Sequence, residues 1–553
     1  MTTGAVALVR TLVDAGVEVC FSNPGTSEMH FVAALDTTPG LRGVLCLFEG
    51  VATGAADGYA RMADKPAAAL LHLGCGLGNG LANLHNARKG RVPVLAIVGD
   101  HATHHVVHDA QLQSDIETVA RNVAPDFVRT SRSPAELCGD AIAAIRAAHG
   151  RPGRVATLIL PADVSWSEGA TAEPPPEITP PPHADDATVA GIAAVITSGR
   201  RVALLLGGRA LREPGLAAAA RIAAASGVRL FAETFPTRLE RGAGLPPIER
   251  IAYLAELAAV QLRGLDDLIL VDAKDPVSFF AYPGKRSRLA PDTCRLHTLA
   301  TSAEDAVASL EKLARALGAA GATAATVPAA RPGLPRGRKL TAEKVCKAVG
   351  ALMPADAILI DEAISSGLML SKFTAGAPRH DLLTLTGGAI GQGLPNAVGA
   401  AIACPRRPVI ALVGDGSAMY TIQALWTAAR EKLDITAIVF ANAAYAVLNM
   451  ELSRVGAAEA GPQARAQFDL GRPTLDFARV AEGMGVPASR AATPDDFVRA
   501  LRHALATPGP HLVEAIVPPA LSGAKLRLLP TVLGSLESLP APLARLLKRK
   551  LAP

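Results

Sequence analysis

The sequence predicts an α/β protein built from three doubly wound parallel-sheet domains. Three observations carry that prediction. Short Val/Ile/Leu/Ala runs such as VEVCFSNPG, AAALLHLG, PVLAIVGD and VATLILPADV lack period-2 alternation, so both faces are buried, as in sheets covered by helices. Longer helical stretches separate them, giving the βαβα pattern of doubly wound folds. Two Pro-rich breaks, SEGATAEPPPEITPPPHADDA at 167–187 and LGAAGATAATVPAARPGLPRG at 317–337, divide the chain. The resulting segments are 1–166, 188–316 and 338–525, with a tail over 526–553. At roughly 150 residues per domain, 553 residues suit this division.

Composition narrows the class. Half the residues are hydrophobic and 19% are charged, which excludes a disordered chain. Aromatic residues are only 4%, so Ala, Val, Leu and Ile must fill the cores. No apolar run approaches the roughly 18 residues of a membrane span. The opening MTTGAVALVRTLVDAGVEV reads as helix then strand and lacks the features of a signal peptide. The seven cysteines (20, 46, 75, 138, 294, 346, 404) show no CxxC spacing, as expected of a reduced, cytoplasmic protein without structural zinc. Lys and Arg number 55 against 50 Asp and Glu, a net charge of +5. The excess is densest in the tail, at Lys525, Arg527, Arg545, Lys548, Arg549 and Lys550. No aromatic residues interleave it, so it reads as a solvated tail or subunit contact, and nucleic acid is not an expected partner.

The middle segment repeats the βα logic with RVALLLGG and DLILVDA. Its Gly207-Gly208 turn does not compel a flavin, so the segment is read as structural. The third segment holds AILIDE, PVIALVGDG, ITAIVFAN and HLVEAIV. Strand PVIALV ends in Gly414-Asp415-Gly416-Ser417, and strand ITAIVF ends in Ala441-Asn442-Ala443-Ala444-Tyr445. Asp415 and Asn442 are 27 residues apart, one strand–helix–strand crossover. Neighbouring parallel strands then bring them together at their carboxyl ends, where open α/β sheets bind ligands. A carboxylate and an amide oxygen there suit Mg²⁺ sharing diphosphate oxygens, with Gly416 opening a helix N-terminus toward phosphate.

On these residues the chain resembles the thiamine-diphosphate-dependent decarboxylase and acetolactate synthase superfamily, and in particular benzoylformate decarboxylase-like and acetolactate synthase large-subunit-like enzymes. FSNPGTSE, FEG, LHLGCGLGNGLANLHNA, LTGGAIGQGLPNAVGAA and the GDG region all fall in family order. The resemblance implies a pyrimidine-binding, a middle and a diphosphate-binding domain. It implies thiamine diphosphate and Mg²⁺ as cofactors, with FAD not expected. Asp415, Asn442 and the Ala444 carbonyl match the metal ligands. Thr26, Gly388, Ile390, Gly414, Gly416, Ser417 and Ala444 match positions that border the cofactor, Ile390 beneath the thiazolium and the Gly388 carbonyl at the 4′-amino group. Asp361-Glu362 is expected to approach it. The chain departs at Ala441, where the family usually has a second asparagine.

Glu49 matches the carboxylate that shares a proton with the pyrimidine. A carboxylic acid among Leu45, Leu47, Phe48 and Val51 suits that transfer. His72 matches a catalytic histidine that carries protons for the reaction, a role suited to imidazole. His108 and Asp109, in a loop with His101, His104 and His105, match a substrate-side loop. Ile364, Leu448, Phe279 or Phe280, and Val447 behind them, fall at substrate-facing positions, with Glu451 beside them. The implied function is non-oxidative cleavage or formation of the C–C bond beside the carbonyl of a 2-oxo acid, with active sites between subunits of a homodimer or homotetramer. Acetolactate synthase-type carboligation of pyruvate is the alternative. Two other classes stay open: a nicotinamide oxidoreductase using GCGLGNG, and a catalytically silent binding subunit of this fold. An apolar 2-oxo acid is expected as substrate, because no Arg or Lys maps to the pocket to meet a second anionic group.

Overall fold

A computed structural model describes residues 2–457, 459–519, 532–536 and 539–551. The first sheet is formed by β1 (Val19–Asn23), β2 (Arg42–Leu45), β3 (Ala67–Leu71), β4 (Val94–Asp100), β5 (Val128–Thr130) and β6 (Val155–Pro161). It is parallel, in the order β2-β1-β3-β4-β6-β5. Every residue of β3 and β6 is buried, as strands without alternation require.

Next along the chain come β7 (Val202–Leu206), β8 (Arg229–Ala232), β9 (Leu239–Arg241), β10 (Glu249–Arg250), β11 (Asp267–Val271) and β12 (Arg295–Ala300). Five of them form a second parallel sheet, ordered β10-β8-β7-β11-β12. The sixth, β9, leaves it and pairs antiparallel with β14 (His380–Thr384) of the third sheet. That sheet also contains β13 (Ala357–Glu362), β15 (Val409–Gly414), β16 (Ile435–Ala441), β17 (Ala488–Ala491) and β18 (His511–Ile516). Its order is β17-β18-β16-β15-β13-β14-β9.

The first and third sheets meet through two helices, Glu49–Ala63 and Gly393–Ala403. Small residues let the backbones touch. A Cβ on Gly58 would overlap the Asn396 main chain, and one on Gly399 would overlap the Ala55 carbonyl. Buried polar groups fix the register. Arg61 and Asp57 pair at 2.8 Å with no side-chain exposure, and Gln392 and Asn396 both donate to Asp57. Arg61 also donates to the Thr384 carbonyl at 2.8 Å.

Part of the basic tail is packed. Helix Ala541–Leu551 lies on helix Ala255–Leu262, and Lys548 pairs with Glu249 at 2.9 Å. Lys525 and Arg527 lie outside the described residues. All seven cysteines are free. Among the described residues no helix is long and apolar enough to cross a membrane.

Candidate active site

Strand β15 carries Asp415 to its carboxyl end and β16 carries Asn442 beside it, in the register Gly414↔Phe440. Asp415 Oδ1 accepts the Gly416 N–H at 2.8 Å, and Oδ2 accepts those of Asn442 and Ala443 at 2.9 and 2.6 Å. Burial pushes its pKa upward against these bonds. Asn442 Oδ1 accepts the Ala444 N–H at 3.0 Å. The predicted pairing across one crossover is therefore what the chain forms. Asp415 Oδ1 keeps a lone pair, so a carboxylate, an amide oxygen and the Ala444 carbonyl make an all-oxygen donor set that fits a hard cation. Gly416 lies under Tyr445, whose ring a Cβ would overlap, and Ser417 is buried.

The loop carrying Gly388 and Ile390 is held from two sides. Glu362 caps the helix that follows, its carboxylate accepting the N–H groups of Gly391, Gln392 and Gly393 at 2.6, 3.1 and 2.7 Å. Burial raises Glu362 to about 7. Glu362 thus shapes the loop that carries Gly388 and Ile390. Its neighbour Asp361 sits near Arg250 and Arg241. From the other side, Asn83 donates to the Gly391 carbonyl at 3.1 Å and Asn86 to that of Ala389 at 2.8 Å. Gly388 has φ +79 and lies against the Phe279 ring, which belongs to an aromatic cluster with Phe235, Tyr253 and Phe280.

Glu49 is the first residue of its helix and is 7% exposed. Asn79 donates to its Oε2 at 3.0 Å. His72 caps helix Leu73–Gly90 at the end of β3. A Cβ on Gly76 would lie 3.0 Å from Glu49 Oε1 and 3.4 Å from His72 Cβ, so the two side chains share one wall. Gly80 similarly makes room for Thr53. Two of the glycines of GCGLGNG, Gly76 and Gly80, thus let this helix approach the Glu49 helix, a packing role that leaves the nicotinamide reading without support.

Sequence reasoning left Glu28 unassigned. It is fully buried, and its Oε2 lies 2.8 Å from His72 Nδ1 and accepts the Gly25 N–H at 2.7 Å. Burial raises its pKa, opposed by the Gly25 N–H and His72. A Cβ on Gly25 would overlap the imidazole and one on Gly99 the carboxylate, so both glycines serve this pair. Asn79, Asn83 and Asn86 were also missed. Their 4-then-3 spacing on one helix face was the available signal.

On the substrate side the arrangement is mixed. Thr26 is exposed in a short 3₁₀ turn, and His108 and Asp109 lie exposed on their loop. The His101–His105 and His105–His108 ring pairs are 5.3 and 5.6 Å apart. No metal-binding group of three or more His, Cys, Asp or Glu is present among the described residues. Ile364 is partly exposed with φ +49, a strained conformation for a β-branched residue and the kind of strain found at functional sites. Its turn packs against helix Ala446–Arg454, which carries Leu448 and Glu451. Glu451 pairs with Arg454 at 3.2 Å, and Arg454 also pairs with Glu256 and lies 3.8 Å over the Tyr282 ring.

A metal-type oxygen set at the end of one sheet and a carboxylate–imidazole wall on another are the two halves that an enzyme binding a diphosphate cofactor needs. Comparison with known proteins gives the family. Residues 2–120 match the N-terminal, and residues 365–515 the C-terminal, TPP binding domain of thiamine pyrophosphate enzymes. The chain is 56% identical over 518 residues to a Mycobacterium tuberculosis protein with the provisional name acetolactate synthase large subunit IlvX, covering 93% of this chain and 99% of that one. It is 30% identical over 535 residues to a benzoylformate decarboxylase of Pseudomonas aeruginosa, covering 90% and 96%. A thiamine diphosphate-dependent 4-hydroxybenzoylformate decarboxylase of Rhodococcus jostii shares the fold, with a TM-score of 0.82 at 24% identity over 94% and 99% of the chains. The chain belongs to the thiamine pyrophosphate enzyme family, and its cofactor is thiamine diphosphate.

Proposed function

We propose that the chain is a non-oxidative decarboxylase of 2-oxo acids with neutral, apolar side chains. The observation that carries this reading is the Glu28–His72 pair on the same wall as Glu49. A lyase that releases an aldehyde must deliver a proton to carbon after CO₂ leaves. A buried carboxylate facing Nδ1 orients the imidazole for that step. Thiamine diphosphate supplies the electron sink next to the carbonyl carbon. Asp415, Asn442 and the Ala444 carbonyl would hold Mg²⁺, with Gly414, Gly416 and Ser417 beside the diphosphate. Gly388 and Ile390 would border the rings with Thr26, and Glu49 would share a proton with the pyrimidine.

Specificity follows from charge. Glu451 is engaged by Arg454, a guanidinium it shares with Glu256, so it is not a free carboxylate offered to a cationic substrate. Ile364, Leu448 and Phe279 offer apolar surface, worth roughly 0.8 kcal/mol per buried methylene. His108 and Asp109 would meet the substrate only if their loop folds inward. Exposed apolar residues flank both halves of the site: Leu47, Val107 and Leu112 on the first segment, Met419, Tyr420 and Leu448 on the third. Such surface marks an interface, and supports a homodimer or homotetramer with a pyrimidine-binding domain of one copy against the diphosphate-binding domain of another. The domains would follow the divisions 1–166, 188–316 and 338–525, and the enzyme would work in the cytoplasm. A second reading, acetolactate synthase-type carboligation of pyruvate, is favoured by the Mycobacterium tuberculosis relative.

The test is kcat/KM for pyruvate, 2-oxobutanoate, benzoylformate, oxaloacetate and 2-oxoglutarate. The monocarboxylates should lead. A preference for either dicarboxylate would overturn the proposed specificity.

A further inference from the structure

A cavity of about 500 Å³ is lined by residues of all three segments, among them Arg91, Arg151, Gly208, Arg209 and Lys274. It opens at the crevice of the second sheet. In open parallel sheets, ligands bind outside the carboxyl ends of strands where the order reverses. Here the chain passes from β7 to β8 on one side and later to β11 on the other, so that crevice lies between the ends of β7 and β11. The Gly207-Gly208 turn stands there, and its backbone amides are the groups that would hold a nucleotide diphosphate.

The Gly207 N–H donates to the Val271 carbonyl at 3.0 Å, and the next two amides are engaged by carboxylates. Gly208 N–H donates to Glu233 Oε1 at 3.2 Å, and Arg209 N–H to Asp272 Oδ2 at 3.0 Å. A Cβ on Gly208 would overlap the Asp272 carboxylate, so this glycine serves the protein's own side chain. Asp272 is at φ +51, in the left-handed region that Asp adopts more readily than most residues with a Cβ. Arg91 binds it, donating through Nη1 to Asp272 Oδ1 at 2.7 Å and to its carbonyl at 3.2 Å. Arg91 is itself left-handed, at φ +54, and ends the helix that begins after His72. Burial raises both acids, Glu233 to about 7.

We infer that Asp272 and Glu233 occupy the diphosphate seat of the middle segment, so that it takes no flavin or nucleotide and is closed instead onto the His72 helix through Arg91. The glycines serve close packing there, and Arg91, one of the cations lining the cavity, is met from within by Asp272.

The experiment needs no turnover, so its outcome is separate from that of the proposed decarboxylation. Acid extracts of the purified full-length protein are analysed for flavin and nucleotide by mass spectrometry, and the protein is titrated calorimetrically with ADP and with FAD. Neither should be found in the extract, and neither should bind below about 1 mM. The double variant Asp272→Gly/Glu233→Ala frees both amides and should bind ADP at least about tenfold more tightly than the parent. Stoichiometric flavin or ADP in the extract, or micromolar binding by the parent, would overturn the inference. So would a folded double variant with no gain. If the variant does not fold, the parent's extract and titrations decide between the two outcomes.

Discussion

At the residue scale, Glu49 and His72 carry different protons from one wall. Glu49→Gln keeps the shape of the side chain and its contact with Asn79 but removes the acidic proton. Exchange of the cofactor's reactive C–H for deuterium, followed by NMR, should slow by about 100-fold or more. His72→Ala and Glu28→Gln should leave that exchange within about threefold and reduce turnover, by about 100-fold for the imidazole. Equal losses of exchange in all three variants would show that the pair does not divide the work. Glu49 and His72 were singled out through the resemblance, and the structure brings them to one wall. Glu28 was not, because at a helix start it reads as a capping residue, and it does accept the Gly25 N–H. Its second role depends on β1 lying beside β3, with Asn23 opposite Leu71, a pairing that local sequence does not display.

At the scale of elements, the contact between helices Glu49–Ala63 and Gly393–Ala403 sets the geometry, since each begins at a piece of the site. Gly399→Ala places a methyl against the Ala55 carbonyl. Overpacking of this kind costs about 1–3 kcal/mol. The melting temperature should fall, and affinity for thiamine diphosphate should fall with it, measured by calorimetric titration. An unchanged melting temperature would mean that the helices are not in close contact. The GDG and Asn442 strands were readable because a single crossover fixes their neighbourhood. The three-residue strand β9 was not: it is too short for a pattern, and its antiparallel partner lies more than a hundred residues away in β14.

For the whole molecule, buried ion pairs tie the segments together and predict a pH dependence. Burial alone would raise Asp381, but Arg238 and Arg407 outweigh it and hold its pKa below the usual carboxylate range. A depressed carboxylate adds stability above its unfolded value, about 3.9, and loses it as pH falls through the lower folded value. Asp381→Asn should therefore flatten acid unfolding below about pH 4, and should destabilise the protein near neutrality by less than the about 3–5 kcal/mol of a fully buried broken pair, because both arginines are partly exposed and Arg238 keeps Glu240. Self-association belongs to the same scale. Val107 is 80% exposed on the first segment's rim. Val107→Asp should weaken assembly by at least about tenfold in sedimentation velocity, and a parent chain that sediments as a monomer would remove the interface site. The central claim is that His72 delivers a proton to carbon after CO₂ is lost. It is tested most directly by ¹³C NMR of the products formed from labelled pyruvate and benzoylformate by the cofactor-loaded enzyme. Free aldehyde should be the main product of both. Acetolactate or another coupled hydroxyketone as the main product would contradict it.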